Sequence, residues 1–264
     1  MLELTGVTKT FFPHTVNERV ALRSVDLTLT EGDFVTVIGS NGAGKSTLLN
    51  VVAGRHVPEQ GMVRLDGHDV TKQPEYKRAR IVARVFQDPM AGTAPHLTIE
   101  ENLAVATVRG RGGGLGLAVT RRRRERFREE LTTLELGLED RLTTVVGMLS
   151  GGQRQALSLL MATFLEPRIL LLDEHTAALD PARAELISRL TTAAVERHHL
   201  TALMVTHNMK QALDMGNRLI MMHDGEIILD VDSAAKEGMT PQTLLDEFSR
   251  IKGAVLSDRT LLQD

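Results

Sequence analysis

FVTVIGSNGAGKSTLLNVVAG, residues 34–54, passes from a nearly all-apolar run through a glycine-rich turn into a helical pattern. The run FVTVI has the composition of a strand buried on both faces. Residues 39–46, GSNGAGKS, fit Gly, four residues, Gly, Lys, Ser. A chance match in a chain this long is roughly one in a hundred, and the strand before and helix after lower that further. Polyphosphate carries several negative charges that need donors at close range. Glycines let backbone N–H groups turn inward, and a helix N-terminus adds unpaired donors and a positive dipole end. Lys45 reaches the terminal phosphates, and Ser46 offers a hydroxyl to Mg²⁺. The competing reading is a plain strand-to-helix turn with an exposed lysine.

Further along, RILLLD (168–173) and TALMVT (201–206) are equally apolar, and with FVTVI they are expected at the centre of a largely parallel sheet. MVRLDGHDV and RLIMMHDGEIILD each place Asp-Gly between strand-like runs, the strongest short hairpin signal, so an antiparallel region is expected beside the parallel core. From residue 90 to 159 strand signals fade. Helical patterns take over in TIEENLAVATV and in RRERFREELTTLELGL (123–138), with a glycine-rich loop, RGRGGGLGLAV, between them. The resulting division is a core with a β subdomain over 1–89 and 160–232, a helical lobe over 90–159, and a C-terminal helical extension over 233–264.

Composition excludes several classes. Zero cysteines rule out disulfides, thiolate metal sites and a cysteine nucleophile. A net charge of −3 gives no global pull toward nucleic acid. No apolar run reaches the roughly 18–20 residues that span a bilayer, and MLELTGVTKT lacks the apolar core of a signal peptide, so the chain is expected to stay in the cytosol. The run RRRRERFR (121–128) could neutralise phosphates of nucleic acid or lipid headgroups. It has no aromatic interleaving, however, and Arg121 with Glu125 and Arg126 with Glu130 make i,i+4 pairs on a solvated helix face.

A P-loop needs an acid at the end of a neighbouring strand, and Asp173 closes an apolar run in that manner. Glu174, beside it, could orient and deprotonate a water. Asp180 and Pro181 read locally as a helix N-cap and first turn. Ser150 to Gln153 in MLSGGQRQALSLLMATF (148–164) reads locally as a capping box, whose two glycines leave backbone donors open to an anion.

These motifs together resemble the ATP-binding subunits of ABC transporters. GSNGAGKS, Gln87 in RVFQDP, LSGGQRQ, ILLLDEH, AALD and His207 in MVTHNM occur in that family's order and at compatible spacing over nearly the whole chain. The resemblance implies an α/β P-loop ATPase with a mainly parallel sheet, an antiparallel β subdomain and an inserted helical lobe, the chain forming a single ATPase domain over 1–264. It implies ATP held by Gly39, Ser40, Asn41, Gly42, Ala43, Gly44, Lys45, Ser46 and Thr47, with Mg²⁺ at Ser46, Gln87 and Asp173. Catalysis is implied at Glu174, Gln87 and His207, the last contacting γ-phosphate. Ser150, Gly151, Gly152 and Gln153 are implied to contact ATP bound to the opposite subunit, and Asp180 to couple the two sites. Phe11 resembles the adenine-stacking aromatic, with Phe12 a neighbouring competitor and core packing an equal alternative.

The implied partners are a second copy or a paralogous ATPase subunit, closing head to tail, integral membrane permease subunits, and an extracytoplasmic solute-binding protein. The implied location is peripheral, on the cytoplasmic face of a bacterial membrane. Two alternatives are an ABC-type ATPase acting on nucleic acid or the ribosome, and a regulatory ATPase driving a membrane partner without moving a solute. DEHTAALDP with VFQDPMAGT is similar to an importer group associated with tryptophan- or tyrosine-type solutes. His175 stands where the family commonly has proline, which implies packing or loop shaping rather than catalysis.

Overall fold

The computed structural model describes residues 1–108 and 119–250. The chain starts with two long strands, β1 (Leu2–Phe11) and β2 (Arg19–Leu29), then β3 (Phe34–Gly39) and α1 (Lys45–Ala53). A short hairpin follows, β4 (Gln60–Leu65) and β5 (His68–Asp69), then α2 (Glu75–Arg78) and β6 (Val82–Val85). Three helices succeed one another: α3 (Ile99–Thr107), α4 (Arg121–Thr132) and α5 (Gly151–Thr163). The chain then returns to β/α alternation with β7 (Ile169–Asp173), α6 (Pro181–Arg197), β8 (Thr201–Val205) and α7 (Met209–Asp214). β9 (Arg218–His223), β10 (Glu226–Val231) and α8 (Ser233–Glu237) lead to a helix over 241–250.

Six strands form one sheet in the order β10-β9-β3-β8-β7-β6, with the expected centre, β3, β8 and β7, lying together. Every pairing from β9 to β6 is parallel, and β10 joins antiparallel. The other sheet, β2-β1-β4-β5, is antiparallel throughout. Both Asp-Gly turns close hairpins, β4–β5 and β9–β10, because Asp-Gly supplies two consecutive residues that tolerate positive φ: Asp66 and Gly67, then Asp224 and Gly225.

Side chains alternate along the central strands, so each feeds two cores. Leu171, Leu203, Val35 and Val37 face α1 and the antiparallel sheet in one cluster. Leu170, Leu172, Ala202 and Met204 face the other way, with Val195 of α6 and Leu159 and Ala162 of α5. The helical region has its own cluster around Ile99, Leu103, Phe127, Leu131 and Leu157. α5 belongs to both, since Leu157 and Leu160 pack in the helical cluster and Leu159 and Ala162 in the sheet cluster. It crosses residue 159 without a break, so lobe and core share one continuous rod.

Two local expectations need correction. The helical pattern over 123–138 ends as a helix at Thr132, because Glu135 and Gly137 take positive φ and turn the chain. Arg121 pairs with Glu125 at 3.3 Å, but Arg126 stacks over Phe164, 4.7 Å from the ring centroid, instead of bridging to Glu130. Arg124 is engaged as well, donating to both oxygens of buried Glu100 at 2.6 and 2.8 Å. The basic run stays on an exposed helix face, as expected, with Arg124 and Arg126 also engaged by partners outside that helix. Most of the glycine-rich stretch, 109–118, and the last part of the C-terminal extension, 251–264, lie outside the described residues.

Candidate functional site

The turn between β3 and α1 is built to hold backbone donors inward. Gly44 has φ 102° and abuts β2, where an added Cβ would stand 2.5 Å from the Ala21 carbonyl oxygen. At Gly39 a Cβ would meet the Met222 carbonyl oxygen at 2.2 Å. Neither position accepts a side chain without moving a strand. α1 then starts with no side-chain cap and no acid in its first turn. The helices of equal or greater length, α3, α4, α5 and α6, cap themselves, with Thr98, Thr120, Ser150 and Asp180. The N-terminus of α1 therefore keeps its donors for something other than protein.

Lys45 is buried, and its amine donates to the Gly39 and Ser40 carbonyls at 2.8 and 3.0 Å. Burial holds its pKa below the ordinary lysine value, opposed by the charges of Glu174 and Asp173. The cleft over this turn is lined by Phe11, Arg19, Asn41, Lys45, Glu174 and His207, among others, and encloses about 250 Å³. Glu174 and His207 also line an adjoining cavity of about 800 Å³ with Thr176, Ser188 and Gln211.

The acidic strand end meets this cleft. Parallel pairing sets Asp173 of β7 opposite Val205 of β8, and the Glu174 N–H donates to the Val205 carbonyl at 3.0 Å. Glu174 adopts φ 47°, a conformation uncommon outside glycine. Its carboxylate lies 2.6 Å from His207 Nε2. Asp173 instead pairs with Arg84 of β6 at 2.5 Å. A carboxylate at a strand end, held by an imidazole beside a phosphate-type turn, can take a proton from a water.

Phe11 lines the cleft, edge-on to His56 with ring centroids 5.2 Å apart, whereas Phe12 is 67% exposed. Gln87 is exposed, just past Phe86, whose carbonyl accepts from buried Gln155 at 3.2 Å. Ser150 and Gln153 form the capping box, at 3.3 and 3.1 Å. The turn they make packs on the Asp180 turn of its own chain. A Cβ on Gly152 would stand 3.0 Å from Arg183 Cδ, and Arg183 pairs with Asp180 at 3.2 Å. The structure thus gathers the phosphate turn, Phe11, Glu174 and His207 in one cleft, and Ser150–Gln153 with Asp180 in a separate unit.

His175 lies away from the cleft, at 2% exposure. Its Nε2 is 2.9 Å from Thr191 Oγ1, and that hydroxyl donates to the Ile187 carbonyl at 2.8 Å. With the Thr191 hydroxyl donating to Ile187, the Nε2–H tautomer is the one that completes the pair. Burial pushes the imidazole pKa down to about 4.

Sequence reasoning missed three groups. Arg19 donates to the Gly42 carbonyl at 2.9 Å and had no local signal. Arg84 did have one: a lone charge inside the strand run VARV calls for a buried acid partner. Gln211 joins the turns after Glu174 and before His207, bonding Thr176 at 3.0 Å, Ser188 at 3.0 Å and Thr206 at 2.7 Å.

The sequence profile described as ABC transporter matches residues 22–177. A tyrosine transport ATP-binding protein of Clostridioides difficile is 43% identical over 249 residues, 94% of this chain and 98% of that protein. The thiamine import ATP-binding protein ThiQ of Escherichia coli is 32% identical, covering 94% of this chain and 96% of that one. Among solved structures, a dimeric ATP-binding cassette in a post-hydrolysis state, bound to ADP and Pi, superposes with TM-score 0.75 at 33% identity, over 88% of this chain and 99% of that one.

Proposed function

This chain belongs to the ABC transporter family as an ATP-binding, ATP-hydrolysing subunit, and from that premise we propose how its residues divide the work and what they drive. The observation that carries the proposal is the split site. An uncapped helix N-terminus faces a cleft holding Glu174 and His207, while the Ser150–Gln153 turn sits in another unit of the same chain. Two chains related by a two-fold axis, closing head to tail, put the phosphate turn of one against the Ser150–Gln153 turn of the other.

The phosphates occupy the α1 N–H groups. Lys45 leaves the Gly39 and Ser40 carbonyls for the terminal phosphates, and Phe11 stacks on the base. Glu174 accepts a proton from the attacking water, and His207, already bonded to Glu174, orients it and contacts the γ-phosphate. Gln87 reports the occupied site to the helical lobe, and Asp180 links the two composite sites. Ser46 and Asp173 are hard oxygen donors of the kind Mg²⁺ takes, alongside phosphate oxygens and Gln87. Bound there, Mg²⁺ neutralises developing charge on the phosphates. ATP favours the closed pair because its phosphates touch both chains, and hydrolysis removes that preference.

No helix among the described residues is long and apolar enough to cross a membrane. In this reading the opening and closing is passed to integral permease subunits at the cytoplasmic face of a bacterial membrane, with an extracytoplasmic binding protein delivering the solute. The solute class that the 43% identical tyrosine transport relative supports is a small amino acid of the aromatic type. Two measurements test this. Glu174→Gln should hold ATP and dimerise on sizing columns without turning over; an ATP-insensitive monomer would sink the composite site. Permease and binding chains that copurify with this one should bind tyrosine or tryptophan, and binding of neither would reject the solute.

A further inference from the structure

Arg84 is a charged group beside the cleft that this division of work leaves unused, and among the described residues it alone pairs directly with Asp173. Along β6, Val82 belongs to the cluster around α1, and Ala83 and Val85 to the opposite one. The pleat therefore turns Arg84 to the α1 side. Its Nη1 donates to Asn50 Oδ1 at 2.6 Å and its Nη2 to Asp173 Oδ2 at 2.5 Å. The guanidinium carbon lies 4.9 Å from the Phe86 ring centroid, at the start of the Gln87 loop. One side chain thus joins the phosphate helix, the acidic strand end and the Gln87 loop. Its Nε is buried without a partner, so the side chain is held through its Nη1 and Nη2 bonds to Asn50 and Asp173.

Three cations, Arg19, Lys45 and Arg84, and two carboxylates, Asp173 and Glu174, surround the phosphate turn, and of the three Arg84 is the one paired directly to Asp173. Among the described residues Asp173 Oδ1 takes no protein donor, so one oxygen is pinned and one is left for a ligand. We propose that Arg84 is a positioning residue and resident counter-ion for the metal aspartate, fixing Asp173 through Oδ2 and setting the site's balance between nucleotide anion and divalent cation. This rests on the assignment of Asp173 to Mg²⁺. A fixed positive charge there attracts phosphate and repels a second cation, so its loss moves the two affinities in opposite directions. A side chain that only packs would not do that.

The test is binding of a fluorescent ATP analogue to the full-length protein, in EDTA and across a Mg²⁺ titration. Arg84→Met, which keeps the length of the stem, should weaken metal-free binding about threefold to tenfold and lower the midpoint Mg²⁺ concentration about threefold. Arg84→Lys, which restores the charge, should return both values toward the parent. If Arg84→Met moves both affinities the same way, or neither, the proposal is overturned. If Arg84→Met fails a melting check, Arg84→Gln takes its place under the same criteria. Asp173→Asn separates the premise. Should it leave the Mg²⁺ dependence of binding intact, the metal assignment fails and the proposal falls with it. Should it abolish that dependence while the Arg84 variants change nothing, the proposal alone fails.

Discussion

The two ends of α1 are treated in opposite ways. At its N-terminus, Gly44 offers no cap, the first turn carries no acid, and the donors open into the cleft. At its C-terminus the Asn50 carbonyl accepts from the Gly54, Arg55 and His56 N–H groups, and one buried side chain from outside the helix claims the carbonyls of Val51 and Val52. Arg78 donates to the Val51 and Val52 carbonyls at 2.8 and 2.9 Å, to Gln73 at 3.0 Å and Thr71 at 3.2 Å, and to Val70. It is fully buried, and that burial lowers its pKa to about 10, still charged at neutral pH. The positive charge sits where the helix dipole is negative. One end is finished by the protein, while the other is left unfinished, as the proposed phosphate site requires.

That contrast makes sharp demands. Lys45→Ala should reduce ATP turnover by about 100-fold or more, while melting shifts little, because the residue satisfies only loop carbonyls. A large fall in melting temperature would break the distinction. Arg78→Met should do the reverse. It strands the ends of several buried carbonyls, so chemical denaturation should show a loss of about 3–5 kcal/mol, with KM for ATP near the parent value in protein that remains folded.

Neighbours at the β7 tip repeat the pattern, with Glu174 facing the cleft and His175 sealed behind it. His175 is held neutral, with a pKa near 4 against 6.5 for the free side chain. The unfolded chain takes up this proton as pH falls below 6.5, while the native state refuses it down to about 4. Stability from this residue is therefore complete above pH 6.5 and declines through that window, by about 3 kcal/mol at the bottom. Urea titrations at pH 7 and pH 4.5 should show a slope that His175→Leu lacks, and His175→Pro should still hydrolyse ATP. Gln211→Leu is the smallest expected effect. It unties the Thr176 and Thr206 turns from each other, loosening the Glu174–His207 pair. Turnover should drop about tenfold with KM unchanged.

Much of this was legible because it is local. Apolar runs placed β3, β7 and β8 at the sheet centre, Asp-Gly placed both hairpins, and the glycine spacing placed the phosphate turn. The capping reading of Ser150 and Gln153 also held in atomic detail. What escaped was long-range charge pairing. Arg84 finds Asp173 across 89 positions, and Arg78 finds the end of α1 from 26 and 27 positions away. No periodicity records such partners. The end of α4 was misjudged for a different reason: TTLEL keeps a helical rhythm of leucines, and only the positive φ of Glu135 and Gly137 ends it.

α5 has a mechanical consequence. Its 13 residues are anchored in the sheet cluster at Leu159 and Ala162 and carry the Ser150 turn at the far tip. From the Leu159 anchor to the Ser150 turn is nine residues, about 14 Å at 1.5 Å per residue, so a tilt of roughly 5° about that anchor displaces the tip by about 1 Å. That exceeds the tolerance of a hydrogen bond. In the proposed composite site the helix is a lever arm with angular gain, and a tilt too small to disturb packing around β7 is enough to engage or release the partner's nucleotide.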